Sequence, residues 1–254
     1  SLVKRVTEAY ERFEFHQVYH SIHNFCIVDM SSFYLDILKD RLYTFKEGSS
    51  ERRAGQWVLS QILSVMTRLM APVLSFTAEE IWRFIPGEKE ESVFLSSFPA
   101  VDDRFLDRSL EDKWATLISL RNEVNRAIEI KRQERVLGNS LEAKVTLFIQ
   151  AESNLSRFVS GYVDFLPTLF IVSEADIAPT DFDKVALPEG AYSGEVSARA
   201  RGEVGQAEIS EKIWVLIERA SGKKCERCWN WSTKVGSFED APLICERCYN
   251  NLLK

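Results

Sequence analysis

The hydrophobic period changes once along the chain, near Gly138, and that change limits the fold more than any other feature. Before it, apolar residues recur at three- and four-residue steps, the spacing of a single helix face. After it, Ala143, Val145, Leu147 and Ile149 alternate with Lys144, Thr146 and Phe148, the period of a strand with one buried face. The order of the two patterns predicts a mainly α chain that continues into a smaller α+β part.

The first 140 residues read as an antiparallel helical bundle. Phe15 to Tyr43 carries no Gly or Pro and predicts continuous helix. Glu51 to Met70 places Val58, Ile62, Val65, Met66 and Leu69 on one face, and Pro72 should stop or kink that helix. Thr77-Ala78-Glu79-Glu80 has the spacing of a capping box, which predicts a short helix from there to about Ile85. A further helix starts near Ser109, runs through Leu110, Trp114, Leu117, Val124 and Ile128, and ends at Gly138-Asn139. Residues 141–218 form the α+β unit, with further strands expected at Leu169–Val172, Val196–Ala200 and Trp214–Ile217.

The last stretch, residues 219–254, is organised by its cysteines. Cys225 and Cys228 are followed after 16 residues by Cys245 and Cys248, a C-x2-C-x16-C-x2-C spacing that suits a tetrathiolate zinc site. Each C-x2-C turn is tight enough for two sulfurs to reach one ion at ~2.3 Å, and two such turns complete a tetrahedron. Four protein ligands leave no place for water, so the expected ion is one structural Zn²⁺ with no catalytic role. A redox C-x-x-C expects a single pair in a βαβ setting, which this tail lacks.

Trp229 and Trp231 flank Asn230 directly after the first cysteine pair. Two readings stand. The indoles could cover the metal site, because so small a module has little other core, or one could be an exposed platform for a nucleic-acid base. Residues 219–254 hold seven basic and four acidic side chains, and four thiolates with Zn²⁺ remove most of that excess. Any RNA contact here must rest on stacking and placed hydrogen bonds.

The apolar stripe of the helix beginning near Ser109 passes through Arg121 and continues at Lys131, Arg132 and Arg135. These cations suit the negative end of a helix dipole; they also suit phosphate contact on a helix end that leaves the core. His16, His20 and His23 share a helical face, without an H-e-x-x-H pattern, and are expected to be partly buried in the bundle. Cys26, inside an apolar run, is expected to be a small core residue.

Several classes of function fall away. With Lys+Arg 32 against Asp+Glu 38, the net charge is −6, so bulk positive charge cannot hold a polyanion. Residues 151–200 carry three basic and eight acidic side chains, a poor phosphate binder. No apolar run reaches the ~18 residues of a membrane span, and five cysteines, four of them gathered in the last 30 residues, suit a reducing, cytoplasmic setting. No phosphate loop, dinucleotide fingerprint or nucleophile elbow is present, so no catalytic residue is assigned.

The residues resemble a known family. The segment from Phe25 to Tyr43, which opens F-C-I-V-D-M-S, that from Leu69 to Trp82 and that from Arg121 to Glu129 are similar to the anticodon-binding helical domain of bacterial isoleucyl-tRNA synthetases. Gly138 to Val145 resembles its junction to a β-containing part, and C-E-R-C-W-N from Cys225 resembles its terminal zinc finger. The resemblance implies a class I synthetase that joins isoleucine to its tRNA with ATP and Mg²⁺. It also implies that this chain is the C-terminal, anticodon-recognising part. The adenylation signatures of the family are absent: His20-Ser-Ile-His23 lacks the glycine and the strand-to-helix setting. The division implied is a helical domain over 1–140, a junction unit over 141–218 and a finger over 219–254. Its partners are the isoleucine-accepting tRNA at the anticodon and the remainder of the synthetase. By the same resemblance Trp229 takes the position expected to meet the anticodon.

Overall fold

The computed structural model describes residues 1–201 and 206–253, in two compact units, 1–106 and 107–254. The first unit is helical: α1 (Leu2–Glu11), α2 (Phe15–Asn24), a π-helical segment (Phe25–Tyr34), α3 (Leu35–Thr44), α4 (Ser50–Met70) and α5 (Ser75–Phe84). Val6 and Ala9 of α1, Val18 of α2 and Leu69 of α4 make one buried cluster. Ala71, Ala78, Trp82, Ile85 and Val93 make another. The helix α4 begins where the Ser49 side chain accepts from the Arg52 N–H at 3.3 Å and ends at Met70, ahead of Pro72.

Two expectations for this unit need correction and one is refined. Phe15–Tyr43 is helical throughout, as expected, but its middle is not α. In its middle the Ser32 hydroxyl donates to the Val28 carbonyl at 2.6 Å, competing with the backbone ladder, and the segment winds as a π-helix. Thr77 does not cap a helix, since α5 already starts at Ser75. The Glu79 carboxylate instead accepts from Ser92 Oγ at 2.8 Å and from the Val93 N–H at 3.1 Å, which fastens the turn at Val93–Leu95 to α5. Finally, His16, His20, His23 and Cys26 are all exposed. On that exposed face the Tyr19 ring stacks on His23 with centroids 5.2 Å apart.

The second unit is built on a four-stranded sheet of order β2-β1-β4-β3. Its elements are α6 (Arg108–Gln133), β1 (Ala143–Gln150), α7 (Asn154–Ser160), α8 (Leu166–Phe170), β2 (Glu174–Thr180), β3 (Tyr192–Arg201) and β4 (Gln206–Arg219). The alternation read from the sequence holds: Ala143, Val145, Leu147 and Ile149 are all fully buried. The strand β1 runs parallel to β2, Val145 opposite Ala175, and antiparallel to β4, Val145 opposite Ile217. The parallel pair is joined through α7 and α8, as parallel strands require a crossover.

Leu169–Val172 is not a strand. Its apolar run is too short to separate strand from buried helix, and Leu169 and Phe170 close α8 before Ile171 turns left-handed at φ 58. The edge strand β2 was not foreseen because Pro179 and two acids interrupt its pattern, a composition that an edge tolerates. At β3, Gly194 admits the close approach of α6: a Cβ there would lie 2.6 Å from Glu123 Oε2. Glu123 is buried and accepts from Tyr192 Oη at 2.9 Å and Arg126 Nη1 at 2.5 Å.

The helix α6 stops at Gln133, five residues before Gly138. Val136 N–H bonds to the Lys131 carbonyl and Arg135 N–H to that of Arg132, both at 3.0 Å, the pairing of a Schellman cap. Arg135 occupies the left-handed position usual for glycine, φ 59. Compactness thus divides the chain before α6, where the change of period divides it after; α6 packs on β3 and β4.

Candidate metal centre and nucleic-acid surface

After β4, the hairpin of β5 (Lys223–Lys224) and β6 (Trp231–Ser232) carries the first cysteine pair, and the second opens α9 (Glu246–Leu253). Gly222 makes the hairpin possible: at φ 91, a Cβ would lie 2.3 Å from the Ser232 backbone. The first knuckle closes through Trp229 N–H to the Cys225 carbonyl at 2.9 Å and Cys225 N–H to the Asn230 carbonyl at 2.8 Å.

The four Sγ atoms of Cys225, Cys228, Cys245 and Cys248 all lie within 4.8 Å of one another, with Cys228 and Cys245 at 3.6 Å. A tetrahedron with ~2.3 Å metal–sulfur bonds has edges of about 3.8 Å, so the cluster fits zinc. The thiols are also in electrostatic conflict. Cys245 is held far below the ordinary value, at about 3, by hydrogen bonds from Cys228 and then Cys248. Cys248 is pushed up by Cys228 and then Cys245. A dication relieves that conflict by accepting all four thiolates. Zinc held there supplies a cross-link between the two knuckles and no open coordination position.

The two indoles divide between the two readings. The sulfurs are covered by Val235 and Ile244. Trp231 is half-buried at the joint with the sheet: its backbone N–H donates to Ser173 Oγ at 2.6 Å, and the Arg219 guanidinium lies 5.5 Å from its ring. Trp229 is 55% exposed at φ 65, a left-handed conformation that costs a non-glycine residue ~1–2 kcal/mol. Lys224 Nζ sits 4.8 Å from its ring centroid. A bulky aromatic that is strained and still exposed does little for the fold, which directs attention to a binding role.

The cations of α6 also separate. Arg121 is not a surface residue: it is 6% exposed and donates to the Leu169 carbonyl, a strut between α6 and α8. Lys131 pairs with Glu134 at 2.7 Å and Arg132 with Glu129 at 3.0 Å, so both are engaged along the helix. Arg135 is exposed beyond the helix end, and its side chain has no partner among the described residues.

Comparison with known proteins gives this geometry a family. The sequence profile described as "Anticodon-binding domain of tRNA ligase" matches residues 1–147, more than half of the chain. The chain belongs to the tRNA-ligase anticodon-binding family. A second profile, "Zinc finger found in FPG and IleRS", matches residues 222–251 and spans all four cysteines, so this family member carries a zinc finger with a structural tetracysteine site. An isoleucine–tRNA ligase of Syntrophotalea carbinolica is 44% identical over 97% of this chain and 24% of its own length. That of Moorella thermoacetica is 44% identical over 97% and 25%, and that of Caldanaerobacter subterraneus subsp. tengcongensis 41% over 99% and 25%. The chain therefore spans about a quarter of the length of these curated relatives. The resemblance read from the F-C-I-V-D-M-S run and the C-E-R-C-W finger holds along essentially the whole chain. Among the described residues no helix is long and apolar enough to cross a membrane.

Sequence reasoning about this family member missed Lys224, Asn139 and Ser173. The pair Lys223-Lys224 just ahead of C-E-R-C-W was a visible basic–aromatic signal; Asn139 lines one cleft with Trp229, 90 residues away, and Ser173 bonds to Trp231, 58 residues away, and neither left a local signal.

Proposed function

We propose that this chain is the tRNA-recognition part of a cytoplasmic isoleucine–tRNA ligase and that it binds the anticodon region of the isoleucine-accepting tRNA. ATP, Mg²⁺ and isoleucine belong to the remainder of that enzyme. In this reading 1–140 is the helical recognition domain, 141–218 the junction and 219–254 the finger. The observation that carries it is Trp229: an exposed indole in a strained backbone position directly after a metal ligand. The knuckle fixes its backbone and so lowers the entropy lost on presenting the ring to a base. Arg135, Arg132 and Lys131 supply phosphate contacts from the end of α6, Arg135 at no cost in ion pairs and the other two in exchange for Glu129 and Glu134. Trp231 acts behind Trp229 as part of the joint, and Arg121 acts only in the fold.

Binding of this chain to an anticodon stem-loop of isoleucine tRNA, against the same stem with a scrambled loop, tests the reading. The matched loop should bind more tightly, and Trp229→Ala should weaken it by ~1–3 kcal/mol with zinc content unchanged. Equal affinity for both loops would overturn it in favour of a protein-docking finger. Given isoleucine, ATP and Mg²⁺, the chain alone should give no pyrophosphate exchange; exchange above a blank would overturn the assignment of catalysis to the rest of the enzyme.

A further inference from the structure

A cleft opens where the finger meets the turn after α6, lined by Asn139, Leu141, Glu142, Lys224, Trp229 and Trp231. Its walls come from segments about 85 residues apart in sequence and are fastened together at several points. Ser173 Oγ donates to the Leu141 carbonyl and accepts from Trp231 N–H. The Glu142 carbonyl accepts from Ala220 N–H at 2.7 Å, and its carboxylate accepts from Arg219 at 2.8 Å. Asn139 Oδ1 is committed to the Leu141 N–H at 3.0 Å, which leaves its amide N–H₂ as a donor. Lys224 holds one face of the Trp229 ring, and more than half of Trp229 remains exposed.

We infer that the turn at 138–142 and the finger form one composite site for a single unstacked nucleotide. The base lies on the open face of Trp229, its edge turns toward Asn139, and a flanking phosphate meets Lys224. The cleft volume of about 30 Å³ holds a water-sized group and not a ring. What enters it is therefore an exocyclic or ring acceptor on the base edge, within reach of the Asn139 amide. Arg135 is four residues from Asn139 and so no more than ~15 Å away along the chain, where it can meet the next phosphate. The site thus extends the RNA surface from the finger onto the end of α6.

This inference rests on Trp229 being an RNA contact, and a double-mutant cycle separates the two. The probe is the anticodon stem-loop of isoleucine tRNA, titrated into the full chain with zinc present. Asn139→Ser keeps a side-chain oxygen to cap the turn while losing the amide donor, and should weaken binding about three- to tenfold. In a Trp229→Ala background the same change should cost almost nothing, because both act on one nucleotide. Lys224→Gln should reduce the slope of log affinity against log salt by about one. If Trp229→Ala alone leaves binding unchanged, the underlying RNA reading fails. If Trp229→Ala weakens binding but Asn139→Ser costs the same factor with and without it, or nothing in either, the composite site is wrong and the finger acts alone.

Discussion

The sheet unit and the finger sit next to each other in sequence yet are held by different forces. Around β1 and β4, Val145, Leu147, Ile149, Ile213 and Val215 are buried to the last per cent, with Leu155, Val159, Leu166 and Phe170 also buried. The finger has three cysteines in its interior, with Val235 and Ile244 only partly covered. A core of that size cannot offset the entropy of ordering some thirty residues. Its fold is contingent on metal, whereas the sheet is contingent on packing. The difference teaches that each can be undone while the other stands.

The largest effect should come from the metal. Structural zinc contributes ~10–16 kcal/mol in finger peptides, so Cys245→Ser or chelation should unfold residues 222–251 while the helical signal and slow amide exchange of β1 and β4 persist. Exchange monitored by mass spectrometry with and without chelator checks this; loss of protection in β1 on chelation would erase the distinction. Acid should act in the same direction. Ligation needs thiolates, so protons compete with the metal for all four sulfurs and zinc binding weakens as pH falls. A colorimetric zinc indicator should report release on acidification and none on raising the pH.

Next in size is the packing side of the contrast. Leu147→Ala in β1 should destabilise the second unit by ~2–5 kcal/mol in denaturant titration and leave one zinc per chain at low denaturant. Zinc loss in step with that destabilisation would mean the finger depends on the sheet for its fold. Smaller again is Arg121→Met. It leaves the buried Leu169 carbonyl without its donor and should cost ~1–3 kcal/mol, with no change in the salt slope of RNA binding. A flatter slope would return Arg121 to the surface.

The smallest effect has the most informative sign. Trp229→Gly removes a side chain from a left-handed position and should stabilise the finger by up to about 1 kcal/mol, seen as tighter zinc in a competition assay, while RNA affinity falls. Weaker zinc binding would show that the indole supports the metal centre after all.

What could be read from the sequence follows the same division. The metal site was legible because cysteine chemistry fixes spacing without help from tertiary context, and β1 was legible because all four inward positions obey one period. The end of α6 was misplaced because its cap uses Arg135 where the pattern points to Gly138. Arg121 misled for a related reason: a cation on an apolar stripe reads as surface until a carbonyl 48 residues away is seen to meet it. The exposed histidines and Cys26 were misread because periodicity locates a helix face and says nothing of whether anything covers it. The division of labour between Trp229 and Trp231 depends on Ser173, which no local pattern connects to either.

The passage from sheet to finger is only three residues, Ala220 to Gly222, and two of them are fastened: Ala220 N–H to Glu142 at 2.7 Å and Ser221 N–H to Glu174 Oε1 at 3.3 Å. A flexible tether would give the second of two contact patches an effective concentration set by the volume its linker sweeps. Here that volume is close to nil. In the reading proposed above, a phosphate settled on Arg135 leaves the Trp229 ring little volume to search. The connection would then favour an RNA whose spacing matches the two patches, a preference separate from any base that is read.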